Sequence, residues 1–142
     1  MTSKFFIITV IFILLFNIQA CYGSSIIEPN FITVNQSING LVIGGHAGNT
    51  YSKDYVLSVQ VKISKADLMI KTEYGWKRVS EYSVIVKIFV NGNLEWSGEL
   101  AAGGSSPTIS GNGGHVLIII KAPFSYENEA VDYSGIITWR LY

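Results

Sequence analysis

Cysteine, proline and charge are all scarce in this chain. Cys21 is the only cysteine in 142 residues, so no internal disulfide can staple the fold. Charged residues make up 14%, with ten Lys plus Arg against ten Asp plus Glu. No stretch accumulates basic residues, which argues against nucleic acid or an anionic membrane surface as the main partner. Past the first two dozen residues no apolar spacing of 3.6 persists long enough for a helix, and no repeat or linker marks a second domain. What is present is a 49% hydrophobic complement, rich in Val, Ile and Tyr and interrupted by 14 glycines. That is enough apolar material for one packed domain, and its bias is toward strands and turns.

The N-terminus reads as a secretion signal. Lys4 supplies the positive start, Phe5 to Phe16 is apolar apart from Thr9, and Ile18-Gln19-Ala20 offers a peptidase site. The run is too short for a comfortable membrane span. Residues 1–23 are therefore the expected signal peptide, cleaved after Ala20 or after Gly23, leaving a single domain over 24–142. Cys21 directly follows the apolar core and is a candidate for lipidation, although Gln19 does not suit that pattern.

From Ser24 onward the chain reads as all-β. Ile32, Val34 and Ile38 alternate with Thr33, Asn35 and Ser37, and Asn39-Gly40 then suggests a tight hairpin turn into Leu41-Val42-Ile43. Tyr55 to Ile63 predicts a strand with Tyr55, Leu57, Val59, Val61 and Ile63 on one face. A shorter strand is expected over 67–73, followed by a turn carrying Trp76. Tyr82, Val84, Val86, Ile88 and Val90 share one face, and Asn91-Gly92-Asn93 is the strongest hairpin signal, with its return strand over 94–100. Residues 102–114 read as a loop, and Val116 to Ile120 as a strand buried on both faces. The closing stretch places Tyr133, Ile137, Trp139 and Leu141 on one face, against Ser134, Thr138 and Arg140. Roughly seven or eight such segments predict a two-layer β-sandwich of the immunoglobulin-like or jelly-roll kind.

Signals of chemistry are sparse. His46 and His115 both sit beside glycines, but neither has the compact second ligand that a zinc site needs, so no metal is expected. No Gly-x-Ser-x-Gly elbow and no Gly-Lys-Ser/Thr phosphate loop occurs. No catalytic residue and no cofactor is expected, and an enzyme is the least supported class. Trp76 and Trp96 are candidate ligand contacts through ring stacking, against the commoner role of capping a core edge.

Two segments carry a family resemblance. Asn30-Phe-Ile-Thr-Val-Asn-Gln-Ser-Ile38 and Asp132-Tyr133-Ser134-Gly135-Ile136-Ile137 resemble the first and last strands of chaperone–usher fimbrial subunits, of the disulfide-free colonisation-factor type. The resemblance implies an immunoglobulin-like sandwich, incomplete until a donor strand completes it. The N-terminal extension, about 24–38, would carry the donor residues Ile26, Ile32, Val34 and Ile38. Ile137, Trp139, Leu141 and Tyr142 would line the groove strand, occupied first by a periplasmic chaperone and then by a neighbouring subunit at an usher. The implied product is a secreted, cell-surface fimbrium with a structural or adhesive role, and a host glycan or protein as a further partner. A second resemblance competes: Thr138-Trp139-Arg140-Leu141 is similar to the Trp-x-Leu ending of cell-wall-binding domains. A secreted carbohydrate-binding sandwich using Trp76 and Trp96 is a related alternative.

Overall fold

In a computed structural model, which describes residues 30–142, seven strands follow one another: β1 (Ile32–Ile43), β2 (Asn49–Thr72), β3 (Gly75–Glu81), β4 (Ser83–Val90), β5 (Asn93–Ala101), β6 (Ile109–Lys121) and β7 (Glu129–Leu141). No helix occurs among the described residues. All pairings are antiparallel, in the order β1-β7-β2-β6-β4-β5, with β3 on β2. Phe31–Tyr142 forms one compact unit. The proposed signal peptide, Cys21 and Ile26 lie outside the described residues.

The two layers arise from one bent strand. Asn49–Lys53 of β2 pairs with Val116–Ile120 of β6, and Val56–Ile70 pairs with β7. Tyr55 stands between them at φ 59° and is exposed. A left-handed residue reverses the local twist and breaks the alternation of faces. Tyr55 therefore leaves the inward set expected for it, and Val56 is buried in its place. The partner strand bends at the same corner. Asn112 and Gly113 have positive φ, and Gly111 lies so close to Val56 that a side chain would collide with the β2 backbone. One layer thus holds β1, β7, the second part of β2 and β3; the other holds the first part of β2, β6, β4 and β5.

A single core fills the space between the layers. Val84, Val86, Ile88 and Val90 of β4 and Val116, Ile118 and Ile120 of β6 face Val59, Val61, Ile63, Tyr133, Ile137 and Trp139. At about 25 cal/mol per Å2 of apolar surface removed from water, this burial is the chief stabilising term in a chain without disulfides.

Several local expectations change. Asn39-Gly40 makes no turn: both residues continue β1, which pairs with β7 without interruption, and the chain reverses at residues 44–48 instead. The strand expected over 67–73 is continuous with β2 across a bulge between Ile63 and Lys65. Trp76 belongs to β3, and the turn precedes it at Glu73-Tyr74. The loop expected over 102–114 ends earlier, because β6 begins at Ile109. Of Val116 to Ile120 only Val116, Ile118 and Ile120 are buried, while Leu117 and Ile119 lie half-buried on the outer face. Tyr82 is partly exposed and stacks edge-on against Phe124, with ring centroids 5.7 Å apart.

Candidate functional site

The two segments that carry the fimbrial resemblance are partners in space. Strand β1 lies antiparallel along β7 from Ile32 opposite Leu141 to Ile43 opposite Ala130. Strand β7 is therefore an interior strand, with β1 on one side and β2 on the other, rather than an open groove wall. Strand β1 pairs with β7 alone among the described strands and forms the edge of its layer.

Alternation decides which residues of β1 enter the core. Val34, Gln36, Ile38, Gly40 and Val42 point inward, and Thr33, Asn35, Ser37 and Asn39 outward. Burial rises along the strand: Ile32 is 61% exposed and Val34 half-buried, whereas Ile38 and Val42 are each 2% exposed. On β7, Tyr133, Ile137 and Trp139 are fully buried, Leu141 is half-buried and Tyr142 is exposed. The donor-type residues Val34 and Ile38 thus lie against the groove-type residues Ile137 and Trp139, within one chain.

Polar groups pin this seam at several points. The buried Trp139 indole N–H donates to Gln36 Oε1 at 2.9 Å, so its one donor is satisfied by β1. Two residues along the inward face, Gly40 sits beside a second cluster. The Tyr133 hydroxyl accepts from Asn49 Nδ2 at 2.8 Å and is 2.7 Å from the Tyr51 hydroxyl, which ties the two layers together. A side-chain carbon at position 40 would lie 2.5 Å from Asn49 Nδ2 and 3.2 Å from the Tyr133 hydroxyl, so any residue larger than glycine must displace Asn49 from its bond to Tyr133. Burial, and next the bond to Tyr51, push the Tyr133 hydroxyl above the ordinary tyrosine range. On the outer face Thr138 Oγ1 donates to Asn35 Oδ1 at 3.0 Å, and the Arg140 guanidinium lies 4.1 Å from the centre of the Phe31 ring. Lys53 reaches from the opposite layer to 5.9 Å from the centre of the Trp139 ring.

The other candidate residues are not gathered into a site. Trp96 packs against the core with its ring over Gly98, and Trp76 is half-buried on β3. They belong to different layers. His46 lies in the turn after β1, while His115 Nδ1 is 2.8 Å from Asp54 Oδ1 in an exposed pair at the bend of β2. Among the described residues, no group of three or more His, Cys, Asp or Glu is placed to hold a metal ion.

Sequence reasoning missed Gln36 and Gly40, and each left a signal. Gln36 is the polar residue at an inward position between Val34 and Ile38, in a chain whose closing strand carries a tryptophan. Gly40 continues the same parity. Compared with known proteins, the sequence matches no protein-family model and shows no significant similarity to a curated protein.

Proposed function

We propose that this chain is a structural or adhesive subunit of a secreted surface fimbria, with an immunoglobulin-like sandwich, whose copies are joined by strand exchange at the β1–β7 seam. One observation carries the reading: the segment resembling a donor strand, Ile32–Ile38, lies antiparallel along the segment resembling a groove strand, Gly135–Leu141. In the isolated chain β1 occupies its own groove. In a polymer the same seam is made between copies, so each edge is filled by a neighbour and the contact runs head to tail.

Three features support exchange there. Strand β1 has a single partner among the described strands, so its release breaks one ladder of theirs. Its first half is the least buried part of the strand, which lowers the cost of detaching it. Once detached it uncovers Ile137 and Trp139, an apolar face on a strand that then has one open edge. Such an edge aggregates unless capped, which is the task of a periplasmic chaperone before an usher delivers the next subunit.

The competing reading, a cell-wall- or carbohydrate-binding module, receives less support. Trp139 is buried and its N–H is engaged by Gln36, and Trp96 packs on the core. Trp76 and Trp96 are both part-buried, but they stand on different layers and form no joint platform.

The test removes the first part of β1, Ile32–Ile38, and supplies it again. In a variant lacking residues 24–38, the expected result is a marked loss of Tm or aggregation. Adding a peptide of residues 26–38, or fusing that segment after Tyr142 through a flexible linker, then restores cooperative unfolding. A truncated chain that is a stable monomer, with Tm unaffected by the peptide, contradicts the proposal.

A further inference from the structure

We propose that Gln36 sets the register in which a β1 strand, the chain's own or that of a second copy, seats on β7, and that it does so through the indole N–H of Trp139. The part concerning a second copy rests on the strand-exchange reading above; the part concerning register does not.

A strand whose apolar residues recur at even spacing is poorly specified. A slip of one residue turns the apolar set outward and is forbidden by burial, but a slip of two keeps the faces. In β1 the aliphatic inward residues Val34, Ile38 and Val42 are spaced by four, so a slip of two keeps the inward face but exchanges them with Gln36 and Gly40. What distinguishes the registers is the pair of exceptions between them. In the observed register Gln36 Oε1 accepts from Trp139 Nε1, and Gly40 lies beside Asn49 and Tyr133. A slip of two toward the strand end takes Val34 to the place of Gln36 and leaves the buried indole N–H without an acceptor. It also carries the Gln36 amide to the buried place of Ile38, and Ile38 into the place of Gly40, where a side chain pushes Asn49 off the Tyr133 hydroxyl. The opposite slip brings Ile38 to the indole and Val42 to the glycine place. Either way a buried donor loses its partner, a penalty that converts to a preference on the order of tenfold or more for the keyed register.

The seam also explains why the key is polar. An edge strand made only of aliphatic residues would accept any β-rich segment of similar volume. An acceptor required opposite one indole rejects segments that place an apolar side chain there, which is specificity through the cost of an unpaired polar group.

Disulfide trapping tests this in the full chain, with Cys21→Ser so that the native thiol takes no part. Asn35 and Thr138 face each other directly on the outer face, at a spacing a disulfide can bridge. Asn35→Cys with Thr138→Cys therefore reports the observed register, while Ser37→Cys or Thr33→Cys with Thr138→Cys reports a slip of two. Expected is closure of the 35–138 pair at least about tenfold faster than either slipped pair. Gln36→Met, similar in shape but without the acceptor, reduces that ratio to below about threefold. Gln36→Glu, which keeps an acceptor, preserves it, and in a Trp139→Phe background Gln36→Met changes it little. A ratio unmoved by Gln36→Met in the Trp139 chain overturns the assignment, as does loss of selectivity in Gln36→Glu. In a second arm one copy carries Asn35→Cys and another Thr138→Cys. A covalent dimer in the 35–138 register shows that the key operates between copies. Failure to form any dimer, with selectivity within one chain intact, removes the exchange reading and leaves the register role standing.

Discussion

The β4–β6 seam and the β1–β7 seam both bring antiparallel strands together over the same core, yet they are built on different terms. Inward residues of the first are aliphatic without exception along the paired stretch: Val86, Ile88 and Val90 opposite Ile120, Ile118 and Val116. Such a seam is held by area and shape and gains nothing from choosing one partner over another of equal volume. The β1–β7 seam mixes Val34, Ile38 and Val42 with Gln36 and Gly40, against Trp139 and Tyr133. It gives up some apolar area in exchange for hydrogen bonds that only one alignment satisfies. A permanent interior seam needs stability; a seam that exchanges strands, as proposed for β1–β7, needs in addition to recognise its partner.

The largest effect expected on this comparison comes from the aliphatic seam. Ile118→Ala removes a fully buried side chain from β6 and should cost about 2–5 kcal/mol, read as a fall in the midpoint of urea unfolding. If that variant is as stable as the parent, the core has been misplaced. Next is Tyr133→Phe, which strips the hydroxyl from Asn49 and Tyr51 between the layers and should cost about 1–3 kcal/mol.

Tyr133 also predicts a dependence on pH. Its hydroxyl holds the proton more tightly in the folded chain than the usual tyrosine value of about 10. Below that pH both states are protonated and stability is flat. Above it the unfolded chain releases the proton first, so stability falls as pH rises, by up to about 1.4 kcal/mol per pH unit. Tyr133→Phe should flatten this decline, and an equally steep alkaline loss in the variant would assign it to other groups.

Smaller effects are expected away from both seams. Trp76→Ala on the edge strand β3 should change stability by about 1 kcal/mol or less, as its ring is only half-buried. A larger loss would make Trp76 a core residue. The smallest concerns Lys65, which bridges two carboxylates set directly opposite each other, Asp132 at 2.7 Å and Asp67 at 3.9 Å. The hydrogen bond to Asp132 raises the Lys65 pKa above the usual lysine value. That contribution is present below about pH 10.5 and is lost as pH climbs through the raised value. Lys65→Met should lower Tm slightly at neutral pH and not at all in strong alkali, and a loss independent of pH would assign the effect to packing.

How much of this was legible in the sequence depended on whether the signal was local. Val84 to Val90 and the closing strand declare their faces by alternation, and Asn91-Gly92 declares its turn, because neighbouring residues suffice to specify them. Tyr55 was misread because it shares the parity of Leu57, Val59, Val61 and Ile63 downstream; the bend lies where Gly111 and Val56 meet across the corner. Asn39-Gly40 was misread for the opposite reason. The dipeptide has the local chemistry of a turn, but the glycine is there for the space taken by Asn49 and Tyr133. Gln36 and Trp139 are 103 positions apart, and neither reveals the other until the strands are paired.

Native-state hydrogen exchange compares the two seams most directly. Amides that bond β1 to β7 over Thr33–Ile38 should exchange through a local opening that is nearly insensitive to low concentrations of denaturant. Those of Val116–Ile120 should exchange only on global unfolding. Equal opening free energies, with the same denaturant dependence, would make β1 a permanent part of the core and contradict the account of an exchangeable strand.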